Sequence, residues 1–172
     1  MNWKEWKRCF CEEFSRLPTV SLWVTAGLCL FFGILIACSG FSRYHTVFYF
    51  FPRGALPRFL MAVFWCLGYF LLGIALGAFL FFGKCRRDPL QGQVLLLFAC
   101  TLLCAYAWIP VVYGAGALFL GILLSVFCLF CSWLLLRMMG RFYRVSSFCM
   151  AIFLLWMGYV FYYTLALFLL NG

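Results

Sequence analysis

Five long stretches of this sequence contain no Asp, Glu, Lys or Arg: Val20–Cys38, Phe59–Gly83, Val94–Tyr113, Ala115–Leu136 and Ser146–Leu170. Each is close to the length of about 20 apolar residues that a helix needs to cross roughly 30 Å of hydrocarbon. The apolar runs are continuous, without the alternation of a membrane strand, so each segment must satisfy its backbone internally as a helix. A soluble core is excluded by composition. With 68% of residues hydrophobic and 10% charged, the chain lacks the polar surface of a soluble domain, about a quarter of which is charged. The expected fold is an all-α integral membrane protein, a bundle of five transmembrane helices.

The thirteen basic residues give the bundle an orientation. Lys4, Lys7, Arg8 and Arg16 precede the first span, Lys84, Arg86 and Arg87 follow the second, and Arg137, Arg141 and Arg144 follow the fourth. Five crossings put all of these on one side and leave only Arg43, Arg53 and Arg58 on the other. The positive-inside rule places the N-terminus in the cytoplasm and the C-terminus outside. The net charge of +9 is then a partner for anionic lipid headgroups. Nucleic acid is excluded as a partner, because no soluble face carries a basic patch. With no organelle-targeting segment in view, a bacterial cytoplasmic membrane is the expected location.

Residues 1–17 place Trp3, Trp6, Phe10, Phe14 and Leu17 at helical spacing with charges opposite, which predicts an amphipathic helix lying at the interface. Residues 18–172 form a single membrane domain, since neither a repeat nor a linker is visible. Gly27, Gly33 and Ala37 in the first span, and the Gly73-x-x-x-Gly77 pattern in the second, predict close helix contacts.

The stretch Tyr44–Gly77 organises the reading of function. It opens in a loop rich in aromatics and punctuated by Pro52 and Pro57, then enters the second span, where Trp65 and Tyr69 share one helical face. Such a loop either sits as an aromatic belt at the interface or packs as a lid over an apolar cavity. Tyr106 and Trp108 near the end of the third span, and Trp156 and Tyr159 in the fifth, add rings from two further helices. Flat apolar molecules stack on such rings, with a phenol or indole N–H fixing their orientation.

Catalysis finds little support. Glu5, Glu12, Glu13 and Asp88 are the only carboxylates and all fall on the cytoplasmic edge, so no acid/base pair forms inside the bundle. No catalytic residue is assigned. His45 is the sole histidine; it reads either as a polar belt residue or as a haem ligand. The eleven cysteines include the pairs Cys100/Cys104 and Cys128/Cys131, but no histidine or acid accompanies them, and no metal site is assigned. Buried thiols behave as small hydrophobes.

These landmarks resemble the translocator protein family, also called tryptophan-rich sensory proteins or peripheral benzodiazepine receptors. Pro52, Pro57, Trp65, Tyr69 and Gly73 match the family's second-span pattern in register. Ala107, Trp108, Pro110, Tyr113 and Gly114 match its third-span pattern, and Trp156 with Tyr159 its fifth-span pair. The resemblance implies five helices with a lid-like first loop over an internal pocket, a ligand of the porphyrin or tetrapyrrole kind, and a homodimer. It implies ligand-binding roles for Tyr44, His45, Pro52, Trp65, Tyr69, Tyr106, Trp108, Trp156 and Tyr159, with porphyrin or haem as a ligand rather than a required cofactor. Several family residues are replaced: the loop Trp-Tyr pair by His45-Thr46, the loop tryptophan by Gly54, the third-span asparagine by Ala105, the fourth-span acid by Leu124, Pro-Tyr in span five by Ile152-Phe153, and the fifth-span asparagine by Thr164. A base after the span-five tyrosine, needed for a cholesterol motif, is missing.

The leading expectation is a membrane receptor or sensor that binds a flat hydrophobic small molecule. The alternatives are a small-molecule transporter, disfavoured by the lack of membrane-embedded charge, and a ligand-free structural or assembly subunit. Porphyrin breakdown, also implied by the resemblance, would lean on Trp65 and Trp156.

Overall fold

The computed structural model describes residues 19–41, 49–81 and 90–171, together with Glu5 and Glu12, both helical. Apart from those two residues, the amphipathic helix expected over 1–17 lies outside this set, as do Tyr44 and His45. The described residues form five long helices and no strand: α1 (Thr19–Phe41), α2 (Arg58–Phe81), α3 (Gln91–Ile109), α4 (Leu118–Phe142) and α5 (Arg144–Asn171). All five are long and apolar enough to span a bilayer. Large apolar side chains such as Val20, Leu155 and Leu169 are about three-quarters exposed, as a surface solvated by lipid requires.

The helices extend past the charge-free stretches. α4 continues through Arg137, whose guanidinium lies 4.7 Å from the Trp133 ring centre; a long basic side chain at a helix end reaches the interface while its stem stays in lipid. α4 also begins later than Ala115. Pro110–Gly114 instead form a π-helical turn, in which the Ala115 N–H donates to the Pro110 carbonyl at 2.9 Å. Gly116 then takes a positive φ of 68°, a conformation that costs glycine little, and the chain reverses directly into α4.

Packing follows a ring in the order α1, α2, α5, α4, α3 and back to α1, with the π-helical turn also resting on α1. The backbones of α2 and α3, consecutive in sequence, come close at few points, and the two helices meet through large side chains. Glycines set the α1–α2 distance. A Cβ on Gly73 would lie 2.5 Å from the Ala26 Cα and 2.9 Å from the Thr25 carbonyl. One on Gly77 would collide with the Thr25 hydroxyl, and one on Gly33 with the Tyr69 ring. Helices in lipid associate through such close packing. The glycine pair of α2 is therefore used within the chain. Gly27, by contrast, has nothing within 4 Å of its Cβ position and faces away.

Replacing Gly73 with Leu inserts a side chain against backbone that cannot retreat, and overpacking of this kind costs about 1–3 kcal/mol or more. Thermal unfolding in detergent micelles should show Gly73→Leu strongly destabilised and Gly27→Leu close to wild type. Equal behaviour of the two variants would contradict this packing.

Candidate functional site

Trp65 and Tyr69 sit one turn apart on α2 and both turn inward, 2% and 1% exposed. The Trp65 ring lies 5.2 Å from Trp108 of α3 and 5.8 Å, edge-on, from Trp156 of α5. Centroid distances of 4.5–7 Å with offset or edge-to-face geometry are the favourable ones for aromatic pairs. Three tryptophans from three helices thus meet at the centre of the ring. Tyr69 extends the cluster toward α1: its ring is 5.1 Å from Tyr106, and the Tyr106 hydroxyl donates to the Cys29 carbonyl at 2.8 Å. The Tyr69 hydroxyl donates to the Ala105 carbonyl at 3.2 Å. With Ala105 in place of the family's asparagine, that partner is backbone.

Trp108 is fully buried, so its indole N–H needs an internal acceptor. It has two: the N–H is shared between the hydroxyls of Ser125 on α4 and Thr164 on α5, each at 3.1 Å. Those hydroxyls donate in turn to Gly121 and Val160 carbonyls one turn back, at 2.8 and 2.7 Å. Close by, the Tyr113 and Tyr163 hydroxyls pair at 2.8 Å. Thr164 was legible as the replacement of a family asparagine. Ser125 and Tyr163 were not singled out, because nothing local marks a serine or tyrosine in an apolar helix as the partner of a distant ring.

On the outer side of Trp65 the rings form a ladder. Phe64 stacks on Trp156 at 5.2 Å and 20°, Trp156 on Tyr159 at 5.4 Å and 23°, and Tyr159 on Tyr163 at 6.2 Å and 22°. Phe64, Trp156 and Tyr159 line a groove of about 360 Å³ between α2 and α5, with Gly68 and Phe153 at its floor and Leu56 of the loop at one end. Gly68 forms part of its lining, and a Cβ there would sit 3.4 Å from both Phe153 and the pyrrole edge of Trp156. Its volume is near the lower bound of the roughly 300–1,000 Å³ typical of small-molecule sites. A smaller groove of about 160 Å³ runs between α1 and α2, beside Trp65, Tyr69, Cys38 and Cys66. Inside the ring, Trp65, Tyr69 and Trp108 are buried and in ring contact with one another.

The end of the first loop is tied down over the α2–α5 groove. Buried Pro52 starts a turn in which the Ala55 N–H donates to the Pro52 carbonyl at 3.1 Å, with Gly54 at φ 87° in the third position, as a type II turn demands. A larger residue at this position would be strained. The Leu56 N–H donates to the Tyr159 hydroxyl at 2.9 Å, and the Tyr162 hydroxyl donates to the Arg53 carbonyl at 3.2 Å. Asn171 clasps Phe50 on both sides, its Oδ1 accepting from the Phe50 N–H at 2.7 Å and its Nδ2 donating to the Phe50 carbonyl at 3.0 Å. Tyr49 donates to the Val112 carbonyl at 2.8 Å. Among the expected residues, Trp65, Tyr69, Trp108, Trp156 and Tyr159 share one continuous set of ring contacts, Tyr106 joins it through Tyr69, and Pro52 shapes the loop above. Among the described residues, no group of three metal-ligating side chains comes together.

The sequence model of the TspO/MBR family matches residues 22–170. No curated protein matches the chain.

Two predictions follow from the hydrogen bonds. Ser125→Ala or Thr164→Val alone leaves Trp108 one acceptor, whereas the double variant orphans a buried N–H at a cost of about 1–3 kcal/mol. The pair should therefore be more destabilising in detergent unfolding than the sum of the singles; simple additivity would refute the shared bond. Separately, Asn171→Leu should speed amide exchange at Phe50 by about fivefold or more, the worth of one lost hydrogen bond, as read by exchange mass spectrometry.

Proposed function

The chain belongs to the TspO/MBR family, and on that premise we propose that this five-helix membrane protein is a receptor or sensor for a flat hydrophobic molecule held beneath its first loop. One observation carries the reading: Phe64, Trp156 and Tyr159 stack nearly parallel along an apolar groove capped by a loop segment hydrogen-bonded to α5. Parallel rings offer a planar guest a face at low cost in ordering, because the protein side is already fixed by packing. A porphyrin or related tetrapyrrole, with haem included, is the ligand class that the resemblance implies. A groove of this size takes one edge of such a macrocycle and leaves the rest in lipid. In this reading Trp65 and Trp108 back the ladder, Tyr69 and Tyr106 brace it against α1, and Pro52 holds the turn that brings Leu56 over the groove. Tyr44 and His45 belong to the same loop and complete the proposed set.

The proposal keeps the orientation implied by the basic residues, with the N-terminus cytoplasmic, the loop outside and a bacterial cytoplasmic membrane as the location. Gly27, which like Gly158 has open space around it, is a small-residue position available for close approach of a second copy in a homodimer. Transport driven by ions is a weaker reading, since the five charge-free stretches supply no coupling group. A ligand-free structural subunit is favoured by one observation, the burial of Trp65, Tyr69 and Trp108 against one another inside the bundle.

Titration of the protein in nanodiscs with protoporphyrin IX, followed by tryptophan quenching, separates these readings. Saturable binding, weakened about tenfold or more by Gly68→Leu, which fills the groove from its floor, supports the receptor; tenfold corresponds to about 1.4 kcal/mol. Partitioning without saturation in the wild type favours the structural subunit.

A further inference from the structure

Most of the described cysteines are enclosed: Cys29, Cys128, Cys131 and Cys149 are buried, and Cys66, Cys100 and Cys104 half-buried. Buried thiols behave as small hydrophobes. Cys38 departs from that pattern, since it is exposed and is the penultimate residue of the first span. It also has a companion. Cys38 of α1 and Cys66 of α2 line the same groove of about 160 Å³, together with Ala37, Ala62 and Trp65.

The register of α1 against α2 explains why the two thiols share a groove. Ala26 faces Gly73, and Gly33 faces the Tyr69 ring, so the helices run antiparallel. About one turn further toward the first loop come Ala37 and Cys38 on α1, and Trp65 and Cys66 on α2. Cys38 is three residues from the end of α1 and Cys66 eight from the start of α2, so Cys38 is the nearer to the loop. Each Cα–Cβ bond in a helix tilts toward that helix's N-terminus. Cys38 therefore leans inward along the bundle and Cys66 leans outward toward the loop, and the two tilts converge. The thiols also interact electrostatically. Among the described residues no histidine, carboxylate or third thiol completes a metal site with them.

We infer that Cys38 and Cys66 form a dithiol oxidation site, closed by a disulfide that ties the outer end of α1 to α2. A disulfide demands Cα atoms within about 7 Å, and the glycine contacts give α1 and α2 the close packing this requires. The oxidant is a small disulfide donor of the glutathione type. Cys38, the exposed thiol, attacks the donor as its thiolate, forming a mixed disulfide and releasing one donor thiol. Cys66 then attacks the Cys38 sulfur, the protein disulfide forms, and the second donor thiol leaves. Two electrons and the two thiol protons pass to the donor, which ends as two thiols. In the orientation proposed above this end faces outside, where disulfides persist. The bond lies beyond the outermost glycine contact, Gly33 on Tyr69, and crosses the α1–α2 groove at the base of the first loop.

Trypsin gives a direct readout, because Arg43, Arg53 and Arg58 lie between the two cysteines. Reduced protein in nanodiscs is incubated with glutathione disulfide, blocked with N-ethylmaleimide, dissolved in detergent and digested. On non-reducing gels, with bands identified by mass spectrometry, most of the wild type should show the Cys38 and Cys66 fragments joined. Dithiothreitol should separate them. Cys38→Ser and Cys66→Ser should each abolish the joined species. Cys29→Ala, which removes the other cysteine of the Cys38 fragment, should leave it intact. Circular dichroism checks that each variant keeps its helices. Separate fragments in the oxidised wild type, or joined fragments that survive Cys38→Ser, would overturn the proposal. So would a disulfide formed between two copies through Cys38, seen as a dimer before digestion, in place of the joined fragments.

Discussion

Hydrocarbon gives a polar group no solvent to fall back on, and the junction at Trp108 is where this chain meets that constraint most directly. Its indole N–H is shared by hydroxyls from α4 and α5, while its ring packs on Trp65 of α2. One side chain of α3 thereby reaches three other helices. Since the α2 and α3 backbones come close at few points, this contact, with those of Tyr69 on Tyr106 and Phe79 on Phe98, joins the two helices. Ser125 and Thr164 are suited to the task because each hydroxyl donates to its own helix's carbonyl and still has a lone pair to offer. Polar atoms are thus placed in the bundle without leaving any of these groups unpaired.

Around that junction, size complementarity replaces the hydrophobic driving force that is unavailable between helices in lipid. Trp65, Tyr69 and Phe79 of α2 are buried in the bundle, and its Gly73 and Gly77 face α1. Gly33 of α1 makes room for Tyr69, and Gly73 of α2 makes room for the α1 backbone at Ala26. Gly68 belongs to the same logic with a different result. The space left by its missing side chain remains open between Phe153 and Trp156 and becomes the floor of the groove.

The loop segment over that groove is held by α5, the last element of the chain. Tyr159 and Tyr162, about one turn apart, and Asn171, about two and a half turns further on, bond the backbone at Leu56, Arg53 and Phe50. An irregular loop at a membrane surface must find partners for its amides somewhere, and the end of α5 supplies them. Tyr159 has a double role, since the ring that stacks in the groove carries the hydroxyl that secures the loop. Groove and loop are therefore joined through a single side chain.

By itself the sequence determined the class, the number of spans and the inward face of α2. In lipid each crossing needs its own uninterrupted apolar run, and that requirement is local and countable along the chain. Trp65 and Tyr69 were legible as a face because helical periodicity relates residues four apart, and the family landmarks were legible because their spacing is linear. Only the tertiary structure decided which rings touch, that Ser125 and Thr164 satisfy Trp108, that Asn171 clasps Phe50, and that open space lies between α2 and α5. These pairings join residues far apart in sequence, on helices that are apolar all round and carry little directional signal. Their partners are fixed by how five cylinders close into a ring, which no single stretch of the chain encodes.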